Sequence, residues 1–315
     1  MKVIVTGSMS FDHVMSMPGR FKDYLMPEKL HILNVSFLME TFSRHYGGTA
    51  GNQAYTLGLL QIKPWLAATV GSDFGQYRNH LLKAGVNLKA MKKVKDKTAT
   101  GFAMADRDNN QVWGFYSGAM KAAKGLSLKP WFKTGDWVII SPNDPKAMEN
   151  YIDECVGRGV NFLFDPAFQI PRLSLAKLKK GVMKATIVIG NDYEIALLRQ
   201  RLKLTKSQIL KSGVILITTY GAKGSMIEKG FEAIKVPIAK PKNSGDPTGA
   251  GDAYRAGFLA GYLKKLPLEV CGRMGALTAV YTVERFGTQT HKFTLTEFRK
   301  RYKQNFREEL RFSQS

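Results

Sequence analysis

The chain has 315 residues, 44% hydrophobic and 23% charged, a balance that excludes disordered, collagen-like and coiled-coil classes and allows one large or two ordinary domains. Forty-seven Lys and Arg against 25 Asp and Glu leave a net charge of +22, which draws anions to the surface without naming a partner. Cys155 and Cys271 show no metal or disulfide spacing, and no apolar run reaches ~18 residues or resembles a signal segment, so the expectation is a cytoplasmic protein with no membrane contact.

In chain order, buried strands are expected at Val3 to Thr6, Trp65 to Val70, Trp137 to Ile140, Phe162 to Phe164, Thr186 to Ile189 and Val214 to Thr218. Helical periods lie between them, as in Ala50, Ala54 and Leu57, then Phe74, Tyr77 and Leu81. Alternating strand and helix predicts an α/β fold, a mainly parallel twisted sheet with helices on both faces. Residues 13–46 and 88–119 break the rhythm with half-polar β segments, expected to pair as a small β-sheet lid over the strand ends. The remainder, 1–12, 47–87 and 120–315, then makes the large domain. The end of the chain, Phe298 to Arg311, reads as an amphipathic helix.

Ligands of open α/β sheets bind beyond the carboxyl ends of the strands, and Gly7, Asp12, Gly71, Asp73, Asp165, Asn191, Glu194, Thr219 and Gly221 fall there. Turns favour the same residue types, so each is also explained by local structure. The sharpest signal is Asp246 to Asp252 before the apolar helix Ala253 to Leu263. Gly249, Ala250 and Gly251 at a helix start would point free N–H groups at an anion, and Asp252 in the first turn could take a proton from a hydroxyl held beside it. The alternative is an ordinary helix N-cap with glycine for tight packing.

Asp246 to Asp252 reads DPTGAGD, Gly47 to Ala54 reads GGTAGNQA and Val70 to Gly75 reads VGSDFG. In this order they resemble the signatures of the ribokinase-like (PfkB) carbohydrate and nucleoside kinases. GSMSFDH at 7–13, FYSGAM at 115–120, NDYE at 191–194 and VERFGTQ at 283–289 are similar to bacterial and archaeal adenosine kinases of that family. The resemblance implies a ribokinase-like fold and ATP-dependent phosphorylation of the adenosine 5′-hydroxyl, giving AMP and ADP, with Asp252 as catalytic base and Gly249, Ala250 and Gly251 as anion hole.

It implies further that Ser8, Asp12, Ser36, Gly48, Asn52 and Gln169 meet the nucleoside, with Phe102 and Phe115 sandwiching the purine. Asn191, Thr219, Gly221 and Gly224 would meet ATP, with Gly287, Thr288 and Gln289 near its adenine. Asn191 and Glu194 would organise Mg²⁺ through water, although the same pair at a helix start is also a capping pair. A homodimer through the lid is compatible with the resemblance. Ser117 stands where the FYxGAM stretch of relatives has Pro. A kinase of another nucleoside or of ribose remains an alternative. Nucleic-acid binding is disfavoured because Lys92, Lys93, Lys95, Lys97, Lys177, Lys179, Lys180 and Lys184 scatter over several elements with no aromatic stacking series.

Overall fold

The computed structural model describes residues 1–108, 110–243 and 245–311. Its strands are β1 (Val3–Thr6), β2 (Ser10–Ser16), β3 (Thr41–Gly47), β4 (Trp65–Ala67), β5 (Thr69–Val70), β6 (Lys92–Lys93) and β7 (Ala99–Ala105). They continue as β8 (Gln111–Tyr116), β9 (Trp137–Ile140), β10 (Asn161–Phe164), β11 (Ile187–Asn191), β12 (Ile215–Thr219), β13 (Ser225–Lys229) and β14 (Glu232–Val236). The helices are α1 (Thr49–Leu59), α2 (Gly75–Lys83), α3 (Pro145–Arg158), α4 (Leu175–Lys184), α5 (Asp192–Leu202), α6 (Lys206–Leu210), α7 (Ala250–Leu263), α8 (Leu268–Val283) and α9 (Leu295–Phe306).

Continuous apolar runs such as Val3–Thr6 and Trp137–Ile140 are buried throughout, so their strands need cover on both faces. They form the middle of an eight-stranded sheet in the order β14-β13-β12-β11-β10-β9-β1-β4, parallel except for the β13 and β14 edge hairpin. Alternate residues serve different cores: Val3 and Val5 face α1, α7, α8 and α9, whereas Ile4 faces α3, α4 and α5. Helices α7 and α8 approach closely because Gly257 carries no side chain, and a Cβ there would lie 2.7 Å from the Met274 carbonyl oxygen.

The expected strand from Trp65 to Val70 is two strands. The chain leaves the main sheet at Ala68, and Thr69–Val70 pairs instead with Lys92–Lys93. The edge hairpin of β13 and β14 was not anticipated. The terminal helix ends at Phe306, not Arg311, because Arg307 adopts φ 57 and closes it, while Thr294 and Glu297 form a capping box at its start.

A separate four-stranded sheet, β3-β2-β7-β8, rises from the end of β1 and stands over the carboxyl ends of the main strands. Its strands come from residues 10–16, 41–47, 99–105 and 111–116. Single-turn helices at Phe21–Asp23 and Pro27–Ile32 fill the connection between β2 and β3.

Candidate active site

Helix α7 begins after Gly249, whose φ of 79 suits glycine, and a Cβ there would lie 2.8 Å from that of Thr288. No side chain caps the helix. Among the described residues the N–H groups of Gly249, Gly251 and Asp252 have no acceptor, whereas that of Ala250 donates to the Pro247 carbonyl at 3.1 Å. The open N-terminus therefore offers an anion fewer donors than expected, since Ala250 is already engaged.

Asp252 projects from the first turn into a set of donors. Asn52 Nδ2 donates to its Oδ2 at 2.8 Å and Gln53 Nε2 to its Oδ1 at 3.0 Å. Asn52 Oδ1 in turn accepts from Thr288 Oγ1 at 2.7 Å and Gln289 Nε2 at 2.9 Å. Burial pushes the Asp252 carboxyl above the usual carboxylate range, opposed by the Arg255 cation and by the two amide donors. The result is an aimed carboxylate with a lone pair to spare.

On the small sheet, Asp12 in β2 lies opposite Gly101 in β7, which lies opposite Phe115 in β8. Cross-strand partners share a face. A Cβ at Gly101 would come within 3.1 Å of both Asp12 and Trp113, so the missing side chain lets the indole lie beside the carboxylate. Burial pushes Asp12 up to about 6, partly offset by a hydrogen bond from Ser10 and reinforced by the Asp252 charge. Asp12, Val14, His45, Trp113, Gly287 and Thr288 are among the residues lining a cavity of about 50 Å³.

One expectation for this side is corrected by the strand register, and the others are placed as follows. Phe102 pairs with Gly114 and His13 and packs its ring 5.1 Å from that of His13, on the face opposite Asp12 and Phe115. It cannot sandwich a base with Phe115, because neighbouring strand positions point to opposite faces. Asn52 uses its acceptor on Thr288 and Gln289 and a donor on Asp252, so it organises the carboxylate. Gly48, at φ 89, is required by the chain's own backbone, since a Cβ would lie 2.5 Å from the Ser8 carbonyl oxygen. The Ser8 hydroxyl accepts from the Thr49 N–H at 3.0 Å at the start of α1. Ser36 is exposed before β3, with no contact to this cluster among the described residues. Gln169 is buried, donates to the Asn143 carbonyl at 2.7 Å and leaves its Oε1 without a partner among the described residues.

On the other side of Asp252 lies a cavity of about 320 Å³ whose walls include Thr219, Gly221, Gly224, Ile238, Ala250, Gly251, Ala279 and Val283. Gly224, at φ 90, is fixed by the Val236 carbonyl, which a Cβ would approach to 2.3 Å. Gly287, Thr288 and Gln289 do not line this cavity: the turn after α8 carries them toward Asn52 and the small sheet. The apolar wall comes from α8 and the segment after β14.

Asn191 and Glu194 form a capping box on α5, Asn191 Oδ1 accepting from the Glu194 N–H and Glu194 Oε2 from the Asn191 N–H, both at 2.8 Å. The second Glu194 oxygen remains, and the charge of Glu194 acts on Asp252 and Asp165. Among the described residues no group of three or more His, Cys, Asp or Glu could hold a metal alone. This donor set fits a Mg²⁺ carried by phosphates and water with few protein ligands, and not a protein cage.

Gln53, Trp113, Arg255 and the pairing of Arg255 with Asp165 were missed. Strand alternation held the signal for Trp113, because residues 111, 113 and 115 share one face of β8 and residue 102 cannot join them. Among the described residues no helix is long and apolar enough to cross a membrane.

The pfkB family carbohydrate kinase pattern matches residues 6–294. The nucleoside kinase of Methanocaldococcus jannaschii is 33% identical over 85% of this chain and 89% of its own length. Its crystal structure superposes with a TM-score of 0.87 at 30% identity, covering 96% of this chain and 99% of that one. The nucleoside kinase of Burkholderia thailandensis in complex with inosine gives a TM-score of 0.87 at 29% identity, over 98% and 99% of the two chains, and a second structure of it holds ADP-inosine. A cytidine kinase of Thermococcus kodakarensis is 26% identical over 76% of this chain and 88% of its own length. With its doubly covered sheet, small second sheet and uncapped glycine turn before α7, the chain belongs to the pfkB family of carbohydrate kinases and has the ribokinase-like fold.

Proposed function

We propose that the protein is a nucleoside kinase that transfers the γ-phosphoryl group of ATP to the 5′-hydroxyl of a purine nucleoside, with adenosine as the expected acceptor. One observation carries the reading: Asp252 stands at the open N-terminus of α7 between an apolar cavity of nucleotide size and a second cavity holding Asp12 and Trp113. Phosphoryl transfer requires positioning, a proton acceptor and stabilisation of charge. Asp252, aimed by Asn52 and Gln53, takes the hydroxyl proton; the N–H groups of Gly249, Gly251 and Asp252 receive phosphoryl oxygens. Asp12 accepts hydrogen bonds from the ribose hydroxyls, and Trp113 with Phe115 offers flat faces to the base.

Mg²⁺, when bound with ATP, neutralises phosphate charge, and Glu194 is the residue to hold its water shell. Purine preference draws support from the aromatic face and from the inosine-bound relative, and the cytidine kinase relative makes pyrimidine nucleosides the informative competitors. The nucleoside-side cavity of about 50 Å³ is below the ~300–1,000 Å³ of ordinary ligand pockets, which supports reading the small sheet as a lid. Exposed Phe42, Phe102, Val112 and Tyr116 on its outward face suit pairing of two copies through the lid, which sedimentation of the parent and Phe102→Asp proteins tests. The functional test is a panel of adenosine, inosine, guanosine, cytidine and ribose with ATP and Mg²⁺, reading ADP formation and the phosphorylated product. Adenosine should lead; turnover confined to free ribose would overturn the nucleoside reading.

A further inference from the structure

Arg255 lies on α7 less than one turn beyond Asp252, and its side chain is buried to 6% exposure against Asp165 at 2%. Asp165 follows the carboxyl end of β10, so the two come from opposite layers of the fold. The guanidinium contacts that carboxylate along one edge, Nε 2.5 Å from Oδ2 and Nη2 donating to Oδ1 at 3.0 Å. Its remaining edge turns back along the helix, with Nη1 donating to the Gly251 carbonyl at 2.9 Å. A Cβ at Gly251 would lie 2.9 Å from that nitrogen, so glycine clears the path for the guanidinium as well as opening the helix end.

We propose that Arg255 is a positioning residue for phosphoryl transfer: anchored by Asp165, it clamps the Gly251 peptide and thereby fixes both the anion-binding turn and the aim of Asp252. The clamp acts where α7 has no side-chain cap to define its first turn. A buried ion pair contributes little net stability compared with apolar residues of similar size, so its presence directly behind the reacting groups is better explained by orientation than by folding. Its charge has a second consequence. Asp252 is faced by the anions Asp12 from β2, Asp165 after β10 and Glu194 from α5, by Tyr77 from α2 and by the neutral donors Asn52 and Gln53 from α1. Arg255 is a cation that opposes them and favours the ionised form of Asp252.

This inference rests on the reading of Asp252 as the base, and the experiment separates the two. The double variant Arg255→Met/Asp165→Leu replaces the pair by apolar side chains of similar bulk, which preserves the core where either single change would strand a buried charge. Thermal melting, kcat, both KM values and the pH profile of kcat are measured beside the parent and Arg255→Lys. The expected result is a folded double variant with KM values for ATP and adenosine within about 3-fold of the parent, kcat lower by at least roughly 10-fold, and an acidic limb displaced to higher pH. Arg255→Lys, which keeps the charge without the planar fork, should restore the limb but not the full kcat. A double variant with parental kcat and an unmoved limb overturns the proposal. If it does not fold, Arg255→Lys carries the test, since it keeps a cation beside Asp165 without the planar fork that reaches Gly251; parental kcat there is equally contrary. A parent protein that phosphorylates no nucleoside would instead remove the functional reading beneath it.

Discussion

The two sides of Asp252 are built differently. Toward α7, Asp252 is held by buried partners: Asn52, Gln53, Thr288 and Gln289 form one connected network around the carboxylate, and the Arg255–Asp165 pair braces the turn. Toward the small sheet, Trp113 and Phe115 are 48% and 54% exposed, and Asp12 has a single side-chain donor, Ser10, at 3.1 Å. One half is organised before any ligand arrives, whereas the other has the chemistry of a nucleoside site without its closed shape. On the proposed function, such a division would place the exacting geometry on the main-sheet elements and leave substrate admission to the small sheet.

Perturbing the rigid half should give the largest effects. Asp252→Asn keeps the shape but removes the proton acceptor, and kcat for adenosine should fall by roughly 10²-fold or more while the dissociation constant for adenosine stays within a few-fold. Activity near that of the parent in steady-state assays would sink the assigned role. Asn52→Ala removes a donor to Asp252 and strands Thr288 and Gln289, so kcat should drop by roughly 10- to 10²-fold with smaller changes in KM.

In the open half, effects should appear in binding. Trp113→Ala and Phe115→Ala should each weaken adenosine binding by about 1–3 kcal/mol, the scale of base stacking on an aromatic ring. Phe102→Ala, on the other face of the same sheet, should leave it unchanged; calorimetric titration of the three variants distinguishes the faces, and a loss confined to Phe102→Ala would reverse the assignment.

The smallest effect concerns pH. On the role proposed for Asp12 toward the ribose, protonation turns one of its two acceptor oxygens into a donor, so kcat/KM for adenosine should decline as pH falls through about 6. Because the folded-state value is raised above the ordinary one, the stability contribution of this group is complete at low pH and lost as pH rises through about 6. Asp12→Asn should therefore raise the melting temperature at pH 8 and leave it nearly unchanged at pH 4. An equal shift at both values would show that the effect is not ionisation.

The same contrast explains what could be read from the chain. The glycine turn at Gly249 to Asp252 was legible because local sequence both frees the backbone N–H groups and places the acid one step later. The parallel sheet was legible because its strands are continuous apolar runs. The Asn52 network was not, since residues from α1, α7 and the turn after α8 meet only in three dimensions. Thr288 and Gln289 join that network from far along the chain. Asn191 and Glu194 show a different limit: the spacing that suggests a metal shell is also that of a capping box, and the structure shows the box. Phe102 was chosen by residue type, while the register that places Gly101 and not Phe102 opposite Phe115 was open to strand alternation alone.

Amide hydrogen exchange with and without adenosine tests the division between a prebuilt and a closing half most directly. The account predicts that amides of α1 and the body of α7 are strongly protected without ligand and change little, while β2, β3, β7 and β8 gain protection when adenosine binds. Adenosine-dependent protection concentrated in α1 and α7, with the small sheet unaltered, would contradict it.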